Sequence, residues 1–142
     1  MSLKNKNSFK CNRRVRYNEI DSQKIVYISH YSTFFDIAIS EFFTEIRFDQ
    51  DAYVEKTNND FHVIKATLEF KAPARLNDEL EVFTHVKNVG NSSITFEQEI
   101  YLKNTNDLLT VGEVIWVNAD QKTRASTTVP DSLRESLKKF EN

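Results

Sequence analysis

The stretch Val15-Arg-Tyr-Asn-Glu-Ile-Asp21 leads, after a short connection, into Tyr31-Ser-Thr-Phe-Phe-Asp-Ile-Ala-Ile-Ser-Glu-Phe-Phe43, and these two segments decide the fold. At 100° per residue, the apolar side chains of the second segment cover about half of a helical wheel. An apolar face that wide must be covered on most sides, so residues 31–48 are predicted to form a central helix. The residues expected to cap its start are Ser29, Ser32 or Thr33.

Most of the remaining chain carries the period-two alternation that is typical of strands. Two turn signals, Gly90-Asn91 and Thr105-Asn106-Asp107, predict hairpins. Residues 19–28 and 49–59 are expected to be connections. The fold class is therefore α+β, an antiparallel sheet of about five strands wrapped around one long central helix, with a short C-terminal helix. The predicted strands span residues 9–18, 61–70, 80–87, 94–103 and 108–119, and the terminal helix spans residues 131–140.

The composition predicts a single soluble domain over residues 1–142, in which residues 1–8 are a frayed tail. The net charge of -2 argues against nucleic-acid and anionic-membrane partners, which need a positive surplus. No apolar run approaches the ~20 residues that cross a bilayer. Because the single Cys11 has no partner for an internal disulfide, a reducing, cytoplasmic location is expected. Its basic surroundings and the lack of a nearby His disfavour a nucleophilic role.

Asp21 stands between the first strand and the central helix. A carboxylate that faces a helix N-terminus can attack a carbonyl or activate water, while the helix end polarises the carbonyl oxygen. From its position alone, Asp21 can equally be a turn residue or part of the approach to the helix.

Several motifs in order resemble those of hotdog-fold acyl-CoA thioesterases of the 4-hydroxybenzoyl-CoA thioesterase-like family, close to its short-chain branch. The similarity spans about residues 12–135. The segments that carry it are Val15–Asp21 with the family's catalytic aspartate, Val26-Tyr27 and Tyr31 at the helix entry, Glu41 within the helix, residues 72–78, and residues 118–130.

The resemblance implies hydrolysis of an acyl-CoA (or acyl-carrier-protein) thioester without cofactor or metal. Asp21 is then the catalytic carboxylate, and the main-chain N–H of Ile28 stabilises the oxyanion. It also implies a homodimer with joined sheets, possibly a dimer of dimers, with each site at the interface. The substrate-binding candidates are Tyr27, His30, Tyr31, His62 and Val63.

Each of these residues also has a structural interpretation. Tyr27 and Tyr31 can simply pack against the helix start, His30 can be a partly exposed structural residue, and His62 can be a strand-face residue. Glu41 is expected to be structural, although some hotdog thioesterases use a mid-helix carboxylate. Arg75 is expected to fix its connection, and His85 is expected to face solvent. The three His lack the spacing of a metal site. The candidates for CoA phosphate contacts, which can equally be solubilising, are Lys65, Lys71, Lys87, Lys103, Lys122 and Arg124.

Two positions depart from the family pattern. Lys24 stands where Gly is usual, which matters because Gly reaches positive φ freely. Ile28 stands where many members have His. These departures favour a rival, a hotdog protein that binds thioesters or a protein partner without turnover. A hydratase or dehydratase is a further alternative, but its usual pairing of His with a carboxylate is not evident.

Overall fold

The helix α1, Ile28–Glu45, packs against one face of a five-stranded sheet. The computed structural model describes residues 2–141. One face of α1 is apolar from Tyr31 to Phe43, and it buries seven side chains. The remaining elements are β1 Phe9–Arg14, α2 Gln50–Thr57, β2 Asn59–Phe70, β3 Glu79–Val89, β4 Ser93–Leu102, β5 Leu108–Asp120 and α3 Asp131–Leu137, with single 3-10 turns at Leu3–Asn5, Tyr17–Glu19 and Lys138–Phe140.

The strands pair in the order β1-β3-β4-β5-β2, and every pairing is antiparallel. The two predicted hairpins are confirmed, with Gly90 N–H donating to the Ser93 carbonyl at 2.8 Å and Leu102 N–H donating to the Asp107 carbonyl at 3.1 Å. In the part of the chain that the structure describes, β2 pairs only with β5, so it forms one edge of the sheet. The α+β prediction, with five antiparallel strands around one long helix, is confirmed.

Aromatic rings fill the space between α1 and the sheet. The ring of Phe42 lies 5.8 Å from that of Phe9, 6.0 Å from that of Phe96 and 4.8 Å from that of Phe140. Trp116 stacks on Phe43 at 5.1 Å. These rings join β1, β4, β5 and the C-terminal segment to one helix, and they hold its axis in place over the sheet.

The helix begins at Ile28, three residues before its predicted start. Its N-cap is Tyr27, in an extended conformation, so the predicted caps Ser29, Ser32 and Thr33 lie inside the helix instead. The first turn escaped notice because its side chains are outside the core, with Ile28 58% exposed.

The predicted connection over residues 49–59 is wrong, because it contains the helix α2. The Asp49 carboxylate accepts the Ala52 N–H at 3.0 Å at its start, and Asn58 ends it in the left-handed conformation at φ 58°. No residue of α2 is buried, so the sequence has no apolar stripe to indicate it. The first strand is also shorter than predicted, because the chain turns at Tyr17–Glu19.

The expected frayed tail is wrong for residues 2–8, which lie against the face of the sheet opposite α1. Leu3 is 1% exposed and packs with Phe83 and Tyr101. Its N–H donates to Glu99 Oε1 at 2.8 Å. Met1, part of the same prediction, lies outside the described residues.

This N-terminal segment also overturns the prediction for His85. The side chain is buried rather than facing solvent, and its Nδ1 lies 3.0 Å from the carbonyl oxygen of Asn7. Alternation along β3 placed His85 on the correct face. It did not reveal that another part of the chain covers that face.

Candidate active site

Asp21 lies in a loop that folds back on itself before α1. Its N–H donates to the Ile25 carbonyl at 2.9 Å, and its own carbonyl accepts the Lys24 N–H at 2.9 Å. Its carboxylate oxygen Oδ1 accepts the Gln23 N–H at 2.7 Å. Both the backbone and one carboxylate oxygen of Asp21 are therefore held by local hydrogen bonds.

The segment that precedes β3 fixes this loop from the side. Val26 N–H donates to the Ala74 carbonyl at 2.9 Å, and Leu76 N–H donates to the Lys24 carbonyl at 3.1 Å. Arg75 pairs with Ile25 as an isolated bridge. Arg75 was expected to fix this connection, and it does so through its main chain while its side chain is exposed.

A buried ion pair that sequence reasoning missed supports the same loop. The Arg13 guanidinium binds the Glu19 carboxylate and lies 3.8 Å from the centre of the Phe34 ring. Glu19 also accepts the Arg16 N–H at 2.8 Å, and its carbonyl accepts the Tyr27 N–H at 2.9 Å. The pair thus connects β1 to both ends of the loop that carries Asp21.

The N-terminus of α1 presents main-chain donors beside this loop. Ile28 is the first residue of the helix, so its N–H has no acceptor within the helix. The side chain of the N-cap residue Tyr27 makes no capping hydrogen bond. The helix dipole adds partial positive charge at this end, which favours a developing anion.

A cavity of about 490 Å³ brings these groups together. It contains four of the predicted site residues, Asp21, Tyr27, Ile28 and Tyr31. The other lining residues are Ile25, Val26, Phe70, Lys71, Ala72 and Pro73. The last four come from the end of β2 and the segment after it. Lys71 was a candidate for CoA phosphate contacts, Ala72 and Pro73 belong to the motif at residues 72–78, and Phe70 was not expected here.

Tyr31 is a buried residue that lines this cavity. Its hydroxyl oxygen accepts the Ala74 N–H at 3.1 Å, and its ring lies 5.0 Å from that of Phe70. Burial raises the pKa of the Tyr31 hydroxyl, the Ala74 N–H opposes this, and the negative charge of Asp21 raises the pKa further. The hydroxyl therefore keeps its proton at neutral pH.

The remaining substrate-binding candidates lie outside this cavity. The ring of His30 contacts that of Tyr27 at 6.4 Å. His62 is exposed on β2, with Nε2 3.1 Å from Gln121 Oε1. Val63 is 53% exposed and lines a second cavity of about 320 Å³ between α1 and β2. Within a single chain, His62 and Val63 are thus separate from Asp21.

Glu41 is far from Asp21 as well. It lies thirteen residues after Ile28 along α1, a distance of about 20 Å at 1.5 Å per residue. Its neighbour is Cys11, whose thiol pKa is raised by burial and then by the charge of Glu41, while Arg13 lowers it. This raised pKa disfavours the thiolate, which fits the structural interpretation of Cys11.

Comparison with known proteins identifies the family. The model of the thioesterase-like superfamily matches residues 15–137. The chain belongs to the thioesterase-like superfamily. The acyl-CoA thioester hydrolase YbgC of Escherichia coli O6:H1 is 33% identical over 125 residues, which are 88% of this chain and 92% of that protein.

Two solved structures share the fold of this chain. The 1,4-dihydroxy-2-naphthoyl-CoA thioesterase Slr0204 of Synechocystis has a TM-score of 0.86 at 17% identity, covering 92% of this chain and 95% of its own. SAV2348 of Staphylococcus aureus, solved in complex with CoA, has a TM-score of 0.86 at 16% identity, covering 95% of this chain and 84% of its own.

Among residues 2–141, every helix is too short or too polar to span a membrane. The same residues contain no group of three or more His, Cys, Asp or Glu arranged to hold a metal ion.

Lys24, which departs from the thioesterase-like pattern, keeps the backbone conformation that Gly would allow. Its φ is 62°, in the left-handed region where a side chain costs about 1–2 kcal/mol. Lys24→Gly removes that strain but makes the unfolded chain more flexible, at a cost of about 0.5–1 kcal/mol. We expect a net gain of about 0.5–1 kcal/mol in the free energy of unfolding, measured by urea denaturation. Lys122→Gly, in the turn that follows β5, is the control. A loss of stability in Lys24→Gly would contradict the prediction.

Proposed function

We propose that this protein hydrolyses acyl-CoA thioesters to the free acid and CoA. The observation that carries the proposal is that Asp21 and Ile28, the first residue of α1, line the same cavity. The name of the YbgC relative supports the same activity. A carrier-protein thioester presents the same reacting group, and the proposal extends to it.

The reaction needs one base or nucleophile and one oxyanion donor. Asp21 either takes a proton from water as that water attacks the acyl carbon, or attacks the carbon itself and is released by water. The Ile28 N–H donates to the carbonyl oxygen as it gains negative charge, and the helix dipole assists. The C–S bond then breaks, and the thiolate leaves as CoA and takes up a proton.

Ile28 in place of His does not remove the oxyanion donor. The donor is a main-chain N–H, which any residue except Pro supplies. Removing one such donor typically raises the barrier by ~2.7–4 kcal/mol. This argument favours turnover over the rival in which the protein only binds thioesters.

Thiol release from a panel of acyl-CoAs tests the proposal. Release of free CoA with aliphatic or aromatic substrates is the expected result. Binding of acyl-CoA without release at any chain length would favour the non-catalytic protein. Water addition to an enoyl-CoA would instead favour the hydratase.

We infer further that the active form is a homodimer in the cytoplasm, joined along β2. This edge strand exposes Val63 and Ile64, 53% and 63% respectively, and an apolar edge strand is prone to pair with another copy. Such pairing brings His62 and Val63 of one chain toward the partner. A dimer of dimers is a further step of the same proposal.

Ile64→Asp is predicted to weaken this dimer at least tenfold and to lower activity with it. A charge at the centre of the joined edge must lose its water, and the two copies repel each other. Sedimentation velocity over a concentration series measures the effect, with Asn106→Asp in the β4–β5 turn as the control. A monomeric native protein that is fully active would contradict the dimer.

A further inference from the structure

Within residues 2–141, the hydroxyl proton of Tyr31 has no hydrogen-bond acceptor. Its oxygen accepts the Ala74 N–H at 3.1 Å, and both residues are buried, with Tyr31 4% exposed. A phenol carries one proton, and Ala74 is the donor in this bond. The proton of Tyr31 is therefore available to a different acceptor.

Asp21 lines the same cavity and has a free acceptor to match. Its Oδ1 accepts the Gln23 N–H at 2.7 Å, which leaves Oδ2 to accept another proton. Tyr31 and Asp21 line the same cavity, and within residues 2–141 no direct hydrogen bond joins them. The charge of Asp21 nevertheless contributes to the raised pKa of Tyr31, which fits their shared location.

We propose that Tyr31 is a positioning residue for hydrolysis, whose hydroxyl donates a hydrogen bond to the attacking water while Asp21 accepts a proton from the same water. This inference rests on the proposed function, and it assigns Asp21 the role of general base. The Ile28 N–H donates to the carbonyl oxygen of the thioester. Tyr31 therefore contacts the water oxygen, Asp21 contacts a water proton, and Ile28 contacts the substrate.

The proposed step balances in atoms and charge. The water oxygen bonds to the acyl carbon as one of its protons passes to Asp21 Oδ2. The C–S electron pair leaves with sulfur, which takes that proton from Asp21. Tyr31 keeps its own proton throughout, as its raised pKa allows. It orients the water so that a lone pair faces the carbon.

Tyr31→Phe tests the role. We expect kcat to fall about tenfold to thirtyfold with KM within about twofold, because water is misplaced while the substrate still binds. Tyr53→Phe is a matched control, since its hydroxyl accepts the Asn118 Nδ2–H at 2.6 Å, away from the cavity. Both variants leave a buried donor without that acceptor, so both lose stability, but only Tyr31→Phe should lose rate. Assays are run below both melting temperatures.

A double-mutant cycle with Asp21→Asn separates positioning from a structural effect. Without the base, correct placement of water has little value, so Tyr31→Phe should cost less than about threefold in the Asp21→Asn background. An equal loss in both backgrounds, a native-like kcat for Tyr31→Phe, or an equal rate loss in Tyr53→Phe would overturn the role of Tyr31. No thiol release by the native chain would instead overturn the proposed function itself.

Discussion

Asp21→Asn should lower kcat/KM for acyl-CoA hydrolysis at least a hundredfold while the protein remains folded. The amide has nearly the same shape, and its oxygen can still accept the Gln23 N–H that holds the loop. It cannot accept a proton from water or attack the thioester at neutral pH. A hundredfold loss corresponds to about 2.7 kcal/mol of barrier. Initial rates of thiol release, with circular dichroism to verify folding, measure the effect.

Asp120→Asn provides the control for this substitution. The Asp120 carboxylate also holds a turn, accepting the N–H groups of Lys122 and Thr123 at 2.8 Å each, and these bonds lower its pKa. It does not line the Asp21 cavity. The activity of the Asp120→Asn variant should remain within about threefold of the native value. Comparable activity in Asp21→Asn and the native protein would rule out Asp21 as the catalytic carboxylate.

Glu19→Leu should reduce the free energy of unfolding by about 3–5 kcal/mol, the range for breaking a buried ion pair from one side. The two side chains are only 16% and 11% exposed, so Arg13 would be left charged beside Phe34 with little access to water. The carboxylate also accepts the Arg16 N–H, and that bond is lost too. Chemical denaturation, evaluated by linear extrapolation, gives the quantity directly.

The double variant Arg13→Met/Glu19→Leu distinguishes an ion pair from simple loss of packing. Removing both charges leaves no unpaired ion, so the double variant should be at least about 2 kcal/mol more stable than Glu19→Leu. If the effects of Arg13→Met and Glu19→Leu on the free energy of unfolding simply add, the two side chains do not stabilise the loop as an ion pair.

The sequence could predict the elements whose signals are local. The apolar stripe of α1 is wide because one whole side of the helix is buried in the core. The Gly90 turn has a distinct composition. The helix α2 gave no such signal, since it buries no residue. The start of α1 was missed because its cap, Tyr27, forms no side-chain hydrogen bond.

The candidate site was only partly predictable for a related reason. Asp21 is both a turn residue, through its bond to Gln23, and a lining residue of the cavity, so its two sequence interpretations are not exclusive. The contributions of Phe70 and of the Arg13–Glu19 pair depend on contacts between distant segments. Periodicity describes which face a residue occupies, but the burial of His85 depends on what covers that face.

The segment at residues 2–8 has a consequence for higher assembly. Two sheets that pack directly face to face lie about 10 Å apart. Here Leu3 and its neighbours already occupy that space on the side opposite α1. A pair of dimers that met through this side would be separated by two such layers of chain, so the N-terminal residues would act as spacers and would set the distance between them.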